Sequence, residues 1–237
     1  MVQIPILKII GEEPLLHYAV TLKDFHDIAK FLITQKIYIN SKDINGETPL
    51  HLAVSNKCYE GVELLISHGC NINATNELGD TALHIALSKN HTKIAEILIS
   101  YKASVKIKNS IGEISLHKAA RKCSRYIINL LISHGADINS KNKYNDTALH
   151  IAAMFNNTDS IEFLISEGAD INSVNNENRT ALHYASSNRY CIETVEFLIL
   201  HNADINLRDN KSQTPLDIAA YNNNTEIAQL LISHGAK

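Results

Sequence analysis

Twelve histidines and four cysteines are the residues of this 237-residue chain best equipped for chemistry, since imidazole and thiolate are the common zinc ligands and imidazole the usual general base. Their spacing argues against that use. His17, His51, His84, His117, His150 and His183 recur at intervals of 34, 33, 33, 33 and 33, and Asp217 takes the next position after 34. His68, His134, His201 and His234 hold a second repeated position, and His91 a third; His26 alone has no repeated place. One ligand per repeat does not build a metal site, which needs clustered donors at mixed spacings, so no metal or other cofactor is expected. Cys58, Cys70, Cys123 and Cys191 form no C-x-x-C pair. Cys58, Cys123 and Cys191 fall two repeats apart, roughly 20 Å in a stack of helix layers, beyond disulfide reach. Reduced thiols in a cytoplasmic or nuclear setting follow. The chain has no nucleophile elbow, phosphate loop or H-E-x-x-H motif, and pairs such as Glu12-Glu13 and Asp159/Glu162 read as solvated surface. The sequence therefore predicts no enzyme.

A constant period near 33 predicts a helical solenoid, in which each unit buries its apolar face against its neighbours. Residues 43–75 serve as the model unit. Asp43-Ile44-Asn45-Gly46 is a turn whose glycine supplies positive φ; Gly79 and Gly112 repeat it, and Asn145 and Asn178 replace it. Thr48 is placed to cap a first helix with Pro49 at its first position. Leu50, Ala53 and Val54 make its apolar stripe, and small alanines (Ala53, Ala86, Ala119, Ala152, Ala185, Ala219) let the next unit approach. A second helix carries Val62, Leu65 and Ile66 and stops at Gly69. Lys36 and Lys102 stand at this stop position elsewhere, predicting looser helix ends there.

Thr48-Pro49-Leu50-His51, the helical Leu-Leu-Ile run and the Gly-Ala-Asp-Ile-Asn segment resemble the ankyrin repeat across essentially the whole chain. The Asn-rich style, about a tenth of all residues, is similar to the ankyrin families of AT-rich protists. The resemblance implies an all-α solenoid of helix-turn-helix units joined by β-turn or hairpin loops. Its divisions are an N-terminal lid at 1–8 and repeats at 9–42, 43–75, 76–108, 109–141, 142–174, 175–208 and 209–237. The first copy lacks its Thr, the fourth reads Ile114-Ser115 for Thr-Pro, and Asp217 in the last copy matches a terminal repeat.

The resemblance also implies a monomeric protein-interaction module that grips another protein along turn tips and first helices. Carried over by position, the partner-binding residues are Leu78, Asp80 and Lys89; Ile111, Glu113, Arg121 and Lys122; Tyr144, Asp146, Met154 and Phe155; and Arg179. Leu78, Ile111 and Tyr144 share one register and predict an exposed apolar stripe, extended by Met154 and Phe155. Beside it Lys102, Lys106, Lys108, Lys118, Arg121, Lys122 and Arg125 surround one acid, Glu113. The expected partner is apolar at its centre and acidic at one end, held across repeats 3 to 5.

Three rivals stand beside this reading. The basic strip of repeat 4 suits nucleic acid, but a net charge of −3 argues against it. The array suits the targeting part of a larger enzyme. Asn139, Asn172 and Asn206 match the acceptor pattern for asparaginyl hydroxylation, although an Asn there also serves to hold a turn. The segment from Met1 to Ile10 is too short and too interrupted for a signal peptide or membrane span.

Overall fold

The computed structural model describes residues 12–21, 26–35 and 38–237. The expected lid and Lys36 lie outside the described residues. Among these, the chain forms two compact units, Met1–Ser110 and Ile111–Lys237.

The first unit holds three helix pairs: α1 (Glu12–Ala19) with α2 (His26–Thr34), α3 (Pro49–Ser55) with α4 (Tyr59–Ser67), and α5 (Ala82–Ser88) with α6 (Thr92–Ser100). The second holds four: α7 (Ser115–Ala120) with α8 (Arg125–Ser133), α9 (Ala148–Met154) with α10 (Thr158–Ser166), α11 (Ala181–Ser186) with α12 (Ile192–Leu200), and α13 (Pro215–Tyr221) with α14 (Thr225–Ser233). Helices of six to nine residues do not persist alone in water, so packing has to hold them. In the second unit α7, α9, α11 and α13 stack as one layer and α8, α10, α12 and α14 as the other. The six repeated alanines are fully buried and set the close approach of neighbouring first helices.

The motif histidine caps the start of α3, α5, α7, α9 and α11. His51 Nδ1 accepts the backbone N–H of Thr48 at 3.0 Å and lies 2.8 Å from its hydroxyl. His84, His117, His150 and His183 repeat the backbone contact at 3.1–3.2 Å. With Nδ1 accepting, the proton sits on Nε2, which reaches into the next repeat. His17 meets the carbonyl of Glu47 at 2.9 Å, His51 that of Asp80 at 3.1 Å, His117 that of Asp146 at 3.1 Å and His150 that of Arg179 at 3.0 Å. His183 Nε2 is buried outside hydrogen-bond geometry, beside the Gln213 and Leu207 carbonyls. Asp217 performs only the first task, accepting from Thr214 at 2.8 Å.

The loops close as hairpins without forming strands among the described residues. Asn142 N–H meets the Asp146 carbonyl at 3.0 Å, and Asn175 that of Arg179 at 3.1 Å. Successive tips bond to each other: Lys143 N–H to Ile111 O, Asn176 N–H to Tyr144 O and Asn210 N–H to Glu177 O, each 2.9 Å. Gly112 has φ +77, and a Cβ there would lie 2.9 Å from the Lys143 nitrogen, so both conformation and tip contact select glycine. Asn145 and Asn178 adopt φ of 60° and 59° as expected, and Ser212 joins them at 61°. Lys102 does not loosen its helix end. It takes φ 63, and Ala103 N–H still bonds Leu98 O at 2.9 Å, so the missing glycine costs backbone strain and not the closure.

Candidate protein-binding surface

Turn tips and the solvent side of the first helices are what the packing leaves over. In the first unit Leu78 is 66% exposed at its tip and Lys89 is exposed just past α5. Asp80 is half-buried and accepts from Asn109 Nδ2 at 2.7 Å, which ties it to the following turn.

The second unit carries the denser set. Tyr144 is 57% exposed at its tip, with Met154 (40%) and Phe155 (50%) at the end of α9, and Ile111 is half-buried. The Arg121 guanidinium lies 5.3 Å over the Phe155 ring, a cation–π arrangement that fixes both side chains. Lys122 is exposed.

Three of the expected contact residues are also engaged within the fold. Glu113 is 1% exposed, with Lys118 Nζ and Arg121 Nη2 each 3.0 Å from its carboxylate. Burial alone would push its carboxyl up, but the two cations outweigh burial and hold it below the usual range. Asp146 is 6% exposed and accepts from Asn175 Nδ2 at 2.8 Å. Arg179 bonds Asp209 at 3.0 Å and Glu177 at 3.1 Å. A buried carboxylate needs its partners inside the protein, and Glu113 is charge-paired there while Asp146 is hydrogen-bonded.

The expected basic strip is likewise not a free field. Lys118 is 8% exposed and Arg121 is half-buried, both committed to Glu113, while Arg125 lies 4.7 Å over Phe163. Lys102, Lys106 and Lys108 belong to the first unit.

An open cavity of about 480 Å³ lies farther along the second unit, between its last two helix pairs. Its walls include Arg179, Tyr184, Lys211, Ile218 and Tyr221. Tyr184 and Ile218 were not expected. Tyr184 directly follows the motif histidine and Ile218 follows Asp217 in its place, as Lys118 and Ile151 follow theirs, and that periodic position was the signal available. Tyr184 Oη accepts from Asn175 Nδ2 at 2.8 Å, and burial, then the Asp146 and Glu177 charges, push its phenol up to about 12.

The candidate asparagines form a ladder. Asn139 Oδ1 accepts the Asp170 N–H at 3.0 Å, Asn172 that of Asp204 at 2.7 Å and Asn206 that of Lys237 at 3.0 Å. Among the described residues no cluster of metal-binding side chains occurs, and no helix is long and apolar enough to cross a membrane.

Stacked helix pairs, hairpin tips and histidines that link successive repeats within each unit define a helical-repeat solenoid. A family model of ankyrin repeats matches residues 16–109, 68–142, 116–209 and 149–237 in overlapping stretches, and the chain belongs to the ankyrin-repeat family. The crystal structure of the human ASB11 ankyrin repeat domain is similar in fold, with a TM-score of 0.81 over 94% of this chain and 98% of that one, at 21% identity. Ankyrin repeats are general protein-interaction modules.

Proposed function

We propose that the protein is a non-catalytic, monomeric cytoplasmic adaptor that binds another protein through the turn tips and first helices. Tyr144, Met154 and Phe155 carry this reading: three large apolar side chains that the fold leaves 40–57% exposed on one side of a single repeat. Binding energy concentrates in such aromatic anchors, with Arg beside them. Lys122 supplies charge at the margin, Ile111 adds to the surface in the second unit, and Leu78 and Lys89 are the corresponding contacts in the first.

Affinity purification from the native cell, followed by titration of the captured partner, tests the proposal. Changing Tyr144 and Phe155 to Ala weakens binding by at least about 2 kcal/mol and leaves the melting temperature nearly unchanged. Lys122→Glu mainly slows association and flattens its salt dependence. Undiminished binding by both variants, with binding lost on changes to α10 or α12, would place the interface on the second-helix side.

A further inference from the structure

We infer that the tip and first-helix face of the second unit takes an acidic partner segment with an interspersed aromatic or aliphatic side chain, and that the Tyr184–Ile218–Tyr221 cavity seats that side chain. The inference rests on the protein-binding reading above and adds the chemistry of the partner.

Charge on this face is unbalanced in one direction. Its acids are engaged within the fold: Glu113 with Lys118 and Arg121, Glu177 and Asp209 with the single Arg179, and Asp146 and Asp217 through hydrogen bonds from Asn175 and Thr214. Lys122, Lys143 and Lys211 are exposed and make no ion pair among the described residues. These three lysines leave positive charge on the face. Three helices of the opposite layer reverse the sign: α10, α12 and α14 contain acids such as Asp159, Glu162, Glu193 and Glu226 and no Lys or Arg, while α8 carries Arg125. Complementary potential steers a partner to one face and suppresses the other.

Apolar surface sits among these amines. Ile218 is 6% exposed and floors the cavity, Tyr221 is 81% exposed on its rim, and Lys211 lines the same opening. A tyrosine ring offers a large, stiff contact area at little entropic cost. Together they match a side chain flanked by carboxylates better than they match a phosphate backbone. Nucleic acid needs many phosphate contacts, and the cations that could extend the set, Lys118, Arg121 and Arg179, are already paired.

Fluorescence anisotropy on the full chain decides the matter with four labelled probes of equal length. They are a peptide alternating Glu with Leu and Phe, its Lys-for-Glu counterpart, a Glu–Ser peptide and a single-stranded oligothymidylate. The Glu–Leu–Phe peptide is expected to bind saturably and to weaken with salt, the Glu–Ser peptide to bind at least about tenfold less tightly, and the Lys peptide not at all. Lys211→Glu with Tyr221→Ala reduces the first affinity about tenfold with an unchanged melting curve, and Lys122→Glu reduces it less. Tighter binding of oligothymidylate, or indifference to Lys211→Glu, overturns the inference. Loss of the native partner on changing Tyr144 and Phe155, with no preference among the peptides, sinks this inference and leaves the adaptor reading standing. A native partner lost only on changes to α10 or α12 removes the adaptor reading itself.

Discussion

A motif histidine buried with Nδ1 accepting and Nε2 donating works only as the neutral imidazole, because a second ring proton would face the capped backbone N–H. Burial accordingly lowers the pKa of His51, His150 and His183 below 6.5, with neighbouring carbonyls offsetting part of the shift. The unfolded state then binds the extra proton first. Their contribution to stability is complete above about pH 6.5 and is lost as pH falls through the lowered native values. Glu113, also lowered, contributes above its unfolded value of 4.5 and loses that contribution as pH falls through its own native value. Urea unfolding followed at about pH 7.5 and again at about pH 5.5 should show a lower midpoint in acid, with a further drop below about pH 4.5. Superimposable curves at the first two would mean the imidazoles are not held neutral. The spacing of these histidines already told against a metal site. Their double hydrogen bond was not legible, because it depends on a carbonyl 29 or 30 residues away.

Local rules decided most of the elements. Thr with Pro or Ala marks the start of α3, α5, α9, α11 and α13, and Gly or Asn marks every described tip but that of Ser212, because these signals act through φ and through nearby N–H groups. Residues whose reason lies in another repeat were opaque. Gly61 sits inside α4, where propensity favours alanine, yet an added Cβ would lie 2.1 Å from the Val20 carbonyl oxygen. Gly61→Ala should therefore destabilise by about 1–3 kcal/mol despite the gain in helix propensity, as overpacking does. Chemical denaturation checks it, and a stabilised variant would refute the contact. Ser115 gives the opposite expectation. It is fully buried at the start of α7 and its Oγ has no hydrogen-bond partner. Ser115→Ala should stabilise by about 1 kcal/mol, seen as a rise in melting temperature. The burial of Glu113 and Asp146 was opaque for a related reason: their positions vary between repeats as surface positions do, while neighbouring residues bury them.

Stability at the scale of the molecule is shared between adjacent pairs, since α11 packs on α13 and α12 on α14. A fragment ending at residue 208 loses the packing that covers α11 and α12, together with the bond from Asn224 to the Ser186 carbonyl. It should melt at a lower temperature and elute from size exclusion with aggregate; behaviour equal to the whole chain would show the last pair contributes little. Leu149→Ala or Leu164→Ala, at sites 2% and 0% exposed, should cost about 2–5 kcal/mol. The 33-residue period made the solenoid legible from sequence alone. The cavity beside Tyr184 was not, because it arises from the meeting of two repeats that each look ordinary.

The asparagine ladder and the histidine links also constrain how such a chain changes length over generations. Every rung joins equivalent positions of successive repeats, so duplicating or deleting one whole repeat reconnects each donor to an equivalent acceptor. A single inserted residue has no such protection. Between His17 and His51 the spacing of 34 keeps the link to Glu47, whereas at the other 34-residue step His183 Nε2 finds no aligned carbonyl. Growth by whole repeats leaves the hydrogen-bond network intact, whereas one added residue is absorbed at His17 and leaves a buried donor without a mate at His183.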